Sequence, residues 1–266
     1  MNKTAFLNSL FVIASFTVSC KDEVEPINEV QLIEVASSQN DEYIINVLAE
    51  TDLFVGYNGV SIEVRNISDN SLVTDASVMI MPMMHMMTMS HSCPVDSPTS
   101  EIGENNKYNY NVVFVMPSGD MGSWEITCKI MRNGVASEIV VPVTVVQPAE
   151  VKLVSFVSAV DNTTKYFVAL LSPEKPVVGE NELKIAVYKK ASMMDWPAVT
   201  GLTFEVEPWM TSMDHGSPNN IAPIDKGKGY YEGKVNFTMT GDWDIRLTLK
   251  NGSNIEGEPT FPVLCK

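Results

Sequence analysis

Apolar and polar side chains alternate with a period of two along many short stretches of this chain. They include "VSIEVRN" from Val60, "NYNVVFVM" from Asn109, "WEITCKIM" from Trp124, "KLVSFVSAV" from Lys152, "LKIAVYKK" from Leu183, "KVNFTM" from Lys234 and "WDIRLTLK" from Trp243. Such alternation sends one row of side chains into a core and the other into solvent, the pattern of a half-buried strand. Gly, Asn, Asp and Pro punctuate the stretches, and no run of ten or more residues carries a helical stripe. The pattern predicts an all-β protein of many short strands, arranged as sandwiches.

The second half restates the first in the same order. "VGYNGVSIEV" at Val55 answers "VGENELKIAV" at Val178, and "IMPMM" at Ile80 answers "VEPWM" at Val206. "YNVVFVM" at Tyr110 answers "YEGKVNFTM" at Tyr231, and "GSWEITCKI" at Gly122 answers "GDWDIRLTL" at Gly241. The sequence therefore predicts two tandem β-sandwich domains, residues 29–147 and 148–266, meeting near Pro148. Trp124 and Trp243 each open a strand after a glycine turn and are expected to anchor a core.

The amino terminus follows a different pattern. Lys3 precedes the apolar run "AFLNSLFVIASFTV", too short to span a bilayer comfortably, and "TVSC" ends at Cys20. "TVSC" resembles the lipobox of bacterial lipoproteins, with Thr17 where leucine is usual. The following "KDE" resembles the export signal of surface lipoproteins of Bacteroidota. The resemblance implies a lipoprotein signal peptide at 1–19, lipidation of Cys20, a tether at 20–28, and an extracytoplasmic outer-membrane lipoprotein held to the membrane by its acyl chains. An ordinary cleaved signal peptide is the alternative.

Charge narrows the partners. A formal net charge of −15 leaves nothing to neutralise a phosphate backbone, so nucleic acid is excluded as a partner. Cysteines Cys93, Cys128 and Cys265 remain after Cys20, an odd number in an oxidising compartment, and their pairing stays open. With three histidines and no His-Glu-x-x-His, Gly-x-Ser-x-Gly or phosphate-loop motif, the chain is not expected to be an enzyme.

The chemistry is concentrated in "MPMMHMMTMSHSCP", residues 81–94, which holds six methionines and two of the three histidines. Met86-x-x-Met89-x-His91 is matched by Met210-x-x-Met213-x-His215 in the second half, and Met116 and Met239 align downstream. Thioethers are neutral soft ligands that suit Cu(I) and largely ignore Zn, Mg and Ca, and an imidazole raises affinity. Methionine also survives where paired cysteines would oxidise. The expected sites are thus Met86, Met89, His91 and Met116 in one repeat, and Met210, Met213, His215 and Met239 in the other. His85, Met121, Cys93 and Trp209 are possible additions. Met193-Met194-Asp195-Trp196 reads as a hairpin tip with no counterpart in the first copy. The bland reading of surplus methionine is irregular core packing, which suits Met79, Met81, Met83 and Met84.

"PWMTSMDHGSP" followed by "GKGYYEGKVNFTMTGDWDIRLTL" resembles the YtkA-like domain, an immunoglobulin-like sandwich of bacterial envelope proteins. The likeness covers residues 178–264, and more loosely 55–146, where Ser92 replaces the glycine after the histidine and Cys93 intrudes. It implies the fold, and an association with copper handling and with FixH-like proteins of oxidase assembly. The expected function is a lipid-anchored Cu(I)-binding protein that scavenges, buffers or transfers copper, with a copper-donor or copper-acceptor envelope protein as partner. The alternatives are a surface adhesion or assembly module whose methionine loops are protein contacts, and an oxidant-sensing methionine cluster.

Overall fold

The computed structural model describes residues 31–96, 102–103 and 105–266. The expected signal peptide at 1–19, Cys20 and the expected tether at 20–28 lie outside the described residues.

Nine strands form the first half: β1 (Ile33–Gln39), β2 (Tyr43–Ala49), β3 (Gly56–Asn66), β4 (Ser77–His85), β5 (Ser90–His91), β6 (Val95–Asp96), β7 (Tyr108–Phe114), β8 (Ser123–Arg132) and β9 (Val135–Val143). They make a five-stranded sheet, β1-β2-β3-β7-β6, and a four-stranded one, β5-β4-β8-β9. The second half repeats this with β10 (Leu153–Val157), β11 (Lys165–Ser172), β12 (Gly179–Lys190), β13 (Thr203–Met210), β14 (His215–Gly216), β15 (Ile221–Gly227), β16 (Tyr230–Phe237) and β17 (Gly241–Asn251). Its last strand is broken into β18 (Asn254–Gly257) and β19 (Thr260–Cys265). The sheets run β10-β11-β12-β16-β15 and β14-β13-β17-β18, with β19 also on β17, so the strand order is the same in both halves. The protein is all-β, and every ladder between named strands is antiparallel.

Alternation explains the cores. In β17, Trp243, Ile245, Leu247 and Leu249 point inward, while Asp244, Arg246, Thr248 and Lys250 point outward or toward the surface. Trp124, Tyr108 and Phe114 occupy the first core as Trp243, Tyr231 and Phe237 occupy the second. Burying aromatic rings of this size is among the larger apolar contributions to a sandwich.

Both halves also use the same polar device. The buried Asn58 accepts the Phe54 amide and donates to the carbonyls of Phe54 and Gly56. Asn181 does the same with the Val177 amide and the carbonyls of Val177 and Gly179. The shared "VG-x-N" word encodes it. Gly56 and Gly179 take φ of 139° and 102°, a region that favours glycine, and the asparagine then satisfies the turned-in backbone.

The β1-β2-β3-β7-β6 and β10-β11-β12-β16-β15 sheets meet through their outer faces. Val113, Ala169, Ala186 and Tyr188 are buried there, with Tyr57, Leu171 and Tyr230 packed against them. The alanines let the sheets approach closely. Tyr230 donates its hydroxyl hydrogen to Asp96 at 2.7 Å, so the 2.9 Å contact between the Tyr57 and Tyr230 hydroxyls has Tyr57 as donor. Burial, then the Tyr57 contact, pushes the Tyr230 hydroxyl far above its usual range.

Cys93, Cys128 and Cys265 are free and buried, so no disulfide links Cys93 to Cys128. Burial pushes the Cys93 thiol well up and the Cys128 thiol up to about 12.

Candidate metal centre

A proline sets the position of each methionine loop. Pro82 in β4 and Pro208 in β13 sit opposite Ile126 and Ile245 on one edge. Proline has no N–H for a second ladder, so on the other edge Pro208 offers only its carbonyl, which the Ser217 amide reaches at 3.2 Å. Only beyond the proline does a two-residue strand fold back. In the first half Met84 faces His91 and His85 faces Ser90. In the second, Met210 faces His215 and Trp209 faces Gly216.

This register makes Met84, rather than Met86, the structural counterpart of Met210. Both are core residues, at 0% and 2% exposure. Their methyl groups lie under Gly122 and Gly241, where an added Cβ would come within 3.0 and 3.1 Å. The first loop is two residues longer between the facing pair, which places Met86 in the turn that its amide closes onto the Met89 carbonyl at 2.9 Å. In the shorter loop the Met213 amide bonds the Met210 carbonyl at 3.2 Å.

The surroundings of the two histidines follow one plan. Trp124 donates its indole N–H to the Met116 carbonyl at 2.9 Å, and His91 stands edge-on to the Trp124 ring, centroids 5.6 Å apart. Trp243 donates to the Met239 carbonyl at 3.0 Å, and His215 stands edge-on to Trp243 at 5.5 Å. Each Met follows the long strand before the tryptophan strand, so the indole hydrogen bond ties its backbone to the ring that the histidine faces, and in the first repeat the Met116 sulfur also reaches His91. Directly opposed residues of an antiparallel pair place their Cβ atoms about 4.5–5.5 Å apart on one face. Met84 and Met210 therefore flank the same histidines.

The first site is the more informative. His91 is 6% exposed, with Nδ1 2.7 Å from the Ser92 carbonyl and Nε2 3.3 Å from Met116 Sδ. A carbonyl oxygen can only accept, so Nδ1 carries the proton. Nε2 faces the Met116 thioether, which can only accept: a doubly protonated ring donates Nε2–H to it, and a ring protonated at Nδ1 alone turns a lone pair toward it. Donors about 2.0–2.3 Å from one ion stand about 3.3–3.6 Å apart at near-tetrahedral angles, so the pair has the spacing of two ligands of one cation. Among the described residues no three His, Cys, Asp or Glu side chains gather to hold a metal. The donor set is one imidazole plus thioethers, which fits Cu(I) and not the harder ions.

The remaining expected residues divide by exposure and by prior engagement. Met89, Met213 and Met239 are exposed at the loop surfaces, Met86 is half-buried against the first core, and Met121 is exposed beside it in sequence order before Gly122. His85 has both ring nitrogens occupied, by Ser90 at 3.0 Å and Glu125 at 2.9 Å. Cys93 is a buried, protonated thiol. The Trp209 ring is covered by the Arg246 guanidinium at 5.0 Å.

One participant was not assigned from the sequence. The Ser92 amide donates to the Met193 carbonyl at 2.8 Å, and the Trp196 ring lies 6.0 Å from that of His91. The hairpin between β12 and β13 thus sits on the first methionine loop. Long-range contact between repeats leaves no periodic signal; the only hint was a Met-Met-Asp-Trp tip with no counterpart in the other copy.

The segment that contains the second site matches a known family. Residues 161–248 match the model of the YtkA-like family. The YtkA-like segment includes Met210, Met213, His215, Met239 and Trp243. No curated protein matches the chain. Among solved structures, domains 5–6 of the S-layer protein SbsC are similar at 14% identity, covering 89% of this chain and 99% of that one, with a TM-score of 0.32. The Escherichia coli adhesin FdeC follows at 16% identity, 87% and 66% coverage and a TM-score of 0.27. The D00-D0 domain of intimin gives 10%, 81% and 94%, with a TM-score of 0.22. Likenesses at this level carry no functional argument.

Proposed function

We propose that this chain is a lipid-anchored, extracytoplasmic Cu(I)-binding protein that takes up copper at one His–thioether site per repeat and passes it to an envelope partner by ligand exchange. The observation that carries the reading is the 3.3 Å approach of His91 Nε2 to Met116 Sδ, a buried imidazole nitrogen facing a thioether. In the first repeat His91, Met116 and Met84 form the inner donors, with Met89 and Met86 on the loop. In the second His215 and Met210 are the inner donors, with Met239 and Met213 at the surface. The soft, neutral set favours the cuprous state. Loop thioethers at the surface let a partner's ligands replace the protein's one at a time. The anchor at Cys20 would hold this exchange at the outer membrane, and nothing in the donor set supplies a catalytic group.

The test is anaerobic Cu(I) titration of the soluble form starting after Cys20, in competition with a chromophoric chelator. Two equivalents are expected to outcompete the chelator, falling to one when His215 and Met239 become Ala and Leu. Absence of binding would leave the exposed methionines, Met87 above all at 97% exposure, as an adaptable protein-contact surface of an assembly module.

A further inference from the structure

The two repeats share one donor constellation, but only one of them receives a covering from outside itself. The β12–β13 connection begins with a tight turn in which the Ala191 and Ser192 amides both bond the Asp195 carbonyl, at 3.0 and 3.1 Å. Ser192 Oγ accepts the amides of Met194 and Asp195. The Lys189 amide closes the base on the Pro197 carbonyl at 3.0 Å. The tip is therefore fixed, with Met193 and Met194 at its apex and their side chains 40% and 51% exposed. Trp196 is 8% exposed, wedged between Phe167 of its own repeat at 5.0 Å and His91 of the other at 6.0 Å. Its indole N–H donates back to the Met193 carbonyl at 3.3 Å, the same oxygen that receives the Ser92 amide.

That geometry puts a methionine apex from the second repeat against the residue next to His91. The corresponding connection of the first repeat, residues 67–76, "ISDNSLVTDA", has neither methionine nor tryptophan. Among the described residues His215 meets no aromatic ring other than Trp243.

We propose that the first copper site spans both repeats: the 191–196 turn closes it, Trp196 walls it, and Met193 or its neighbour Met194 adds a thioether to His91 and Met116. The inference rests on the copper reading above. It makes the two sites unequal. Copper in the first is covered and has a ligand from each repeat, so it leaves slowly and holds the repeats together. Copper in the second is open at the Met213 loop and exchanges quickly.

The test uses the soluble full chain with the second site silenced by Met213→Leu, His215→Ala and Met239→Leu, with and without Met193→Leu and Met194→Leu. The exposed pair can change without disturbing a core, and thermal unfolding of the apoprotein checks that it does not. The leucine pair is expected to weaken Cu(I) retention against the chelator by about 10- to 100-fold, the range seen when groups supporting a metal site are lost. It should also remove one sulfur from the copper X-ray absorption shell. Unchanged affinity and sulfur count in the leucine pair would overturn the shared site while leaving the copper reading intact. If the silenced chain with its intact tip binds no Cu(I), and neither does the unaltered chain, the copper reading fails and the shared site falls with it.

Discussion

Ser92 and Met193 belong to different repeats, yet the amide of one donates to the carbonyl of the other across 2.8 Å. The bond joins the methionine loop to the hairpin tip, and Trp196 fills the space behind it. Truncating that ring to Trp196→Ala is expected to cost about 3 kcal/mol, as for other buried aromatic rings. Because the ring touches both repeats, calorimetry is expected to show them unfolding together in the unaltered chain and in two separate events in the variant. An unchanged midpoint would mean that the ring contributes nothing to the docking.

Asn58 and Asn181 offer a matched pair. Each satisfies one amide and two carbonyls of a turned-in loop. Asn58→Ala and Asn181→Ala should each lose about 2–3 kcal/mol in urea unfolding, because the groups left behind are buried and unpaired. The two losses should be similar, since the networks are the same.

Alternation and the internal repeat made the fold legible. The rows Trp243-Ile245-Leu247-Leu249 and Trp124-Ile126-Cys128-Ile130 point inward as their spacing requires. The site was legible in composition but not in register. Matching Met86 to Met210 by the Met-x-x-Met-x-His word ignores that the first loop is two residues longer, while the strand pairing places Met84 opposite His91. The "IMPMM"/"VEPWM" match already contained that alignment. The indole hydrogen bonds to Met116 and Met239 follow from strand ends meeting in space, which no local word encodes.

Met210 and Met213 should respond differently to the same change. Met210→Leu replaces a core residue with one of similar volume and should cost under about 1.5 kcal/mol. Met213, 60% exposed, should change stability by no more than about 0.5 kcal/mol. Both should speed Cu(I) loss from the second site in chelator competition, because both remove a thioether near His215.

The buried thiols set an alkaline limit. The folded protein holds the Cys128 proton up to about 12, whereas an unfolded chain releases it near 9.0. The folded state then binds more protons across that interval, so stability is full below it and falls as pH rises through it. Unfolding midpoints should decline from about pH 9 upward, and less steeply in Cys128→Ala. At neutral pH, Cys93 and Cys128 should resist alkylation until the chain is unfolded.

The most direct test of the copper sites is a methyl NMR titration of methionine-labelled protein with Cu(I) under anaerobic conditions. The account predicts that the first two equivalents shift the methyls of Met116 and Met239 and the Nε2 resonances of His91 and His215, and leave Met79 and Met131 on the outer strand faces unmoved. Shifts confined to surface methyls such as Met87, with both histidines unchanged, would contradict it.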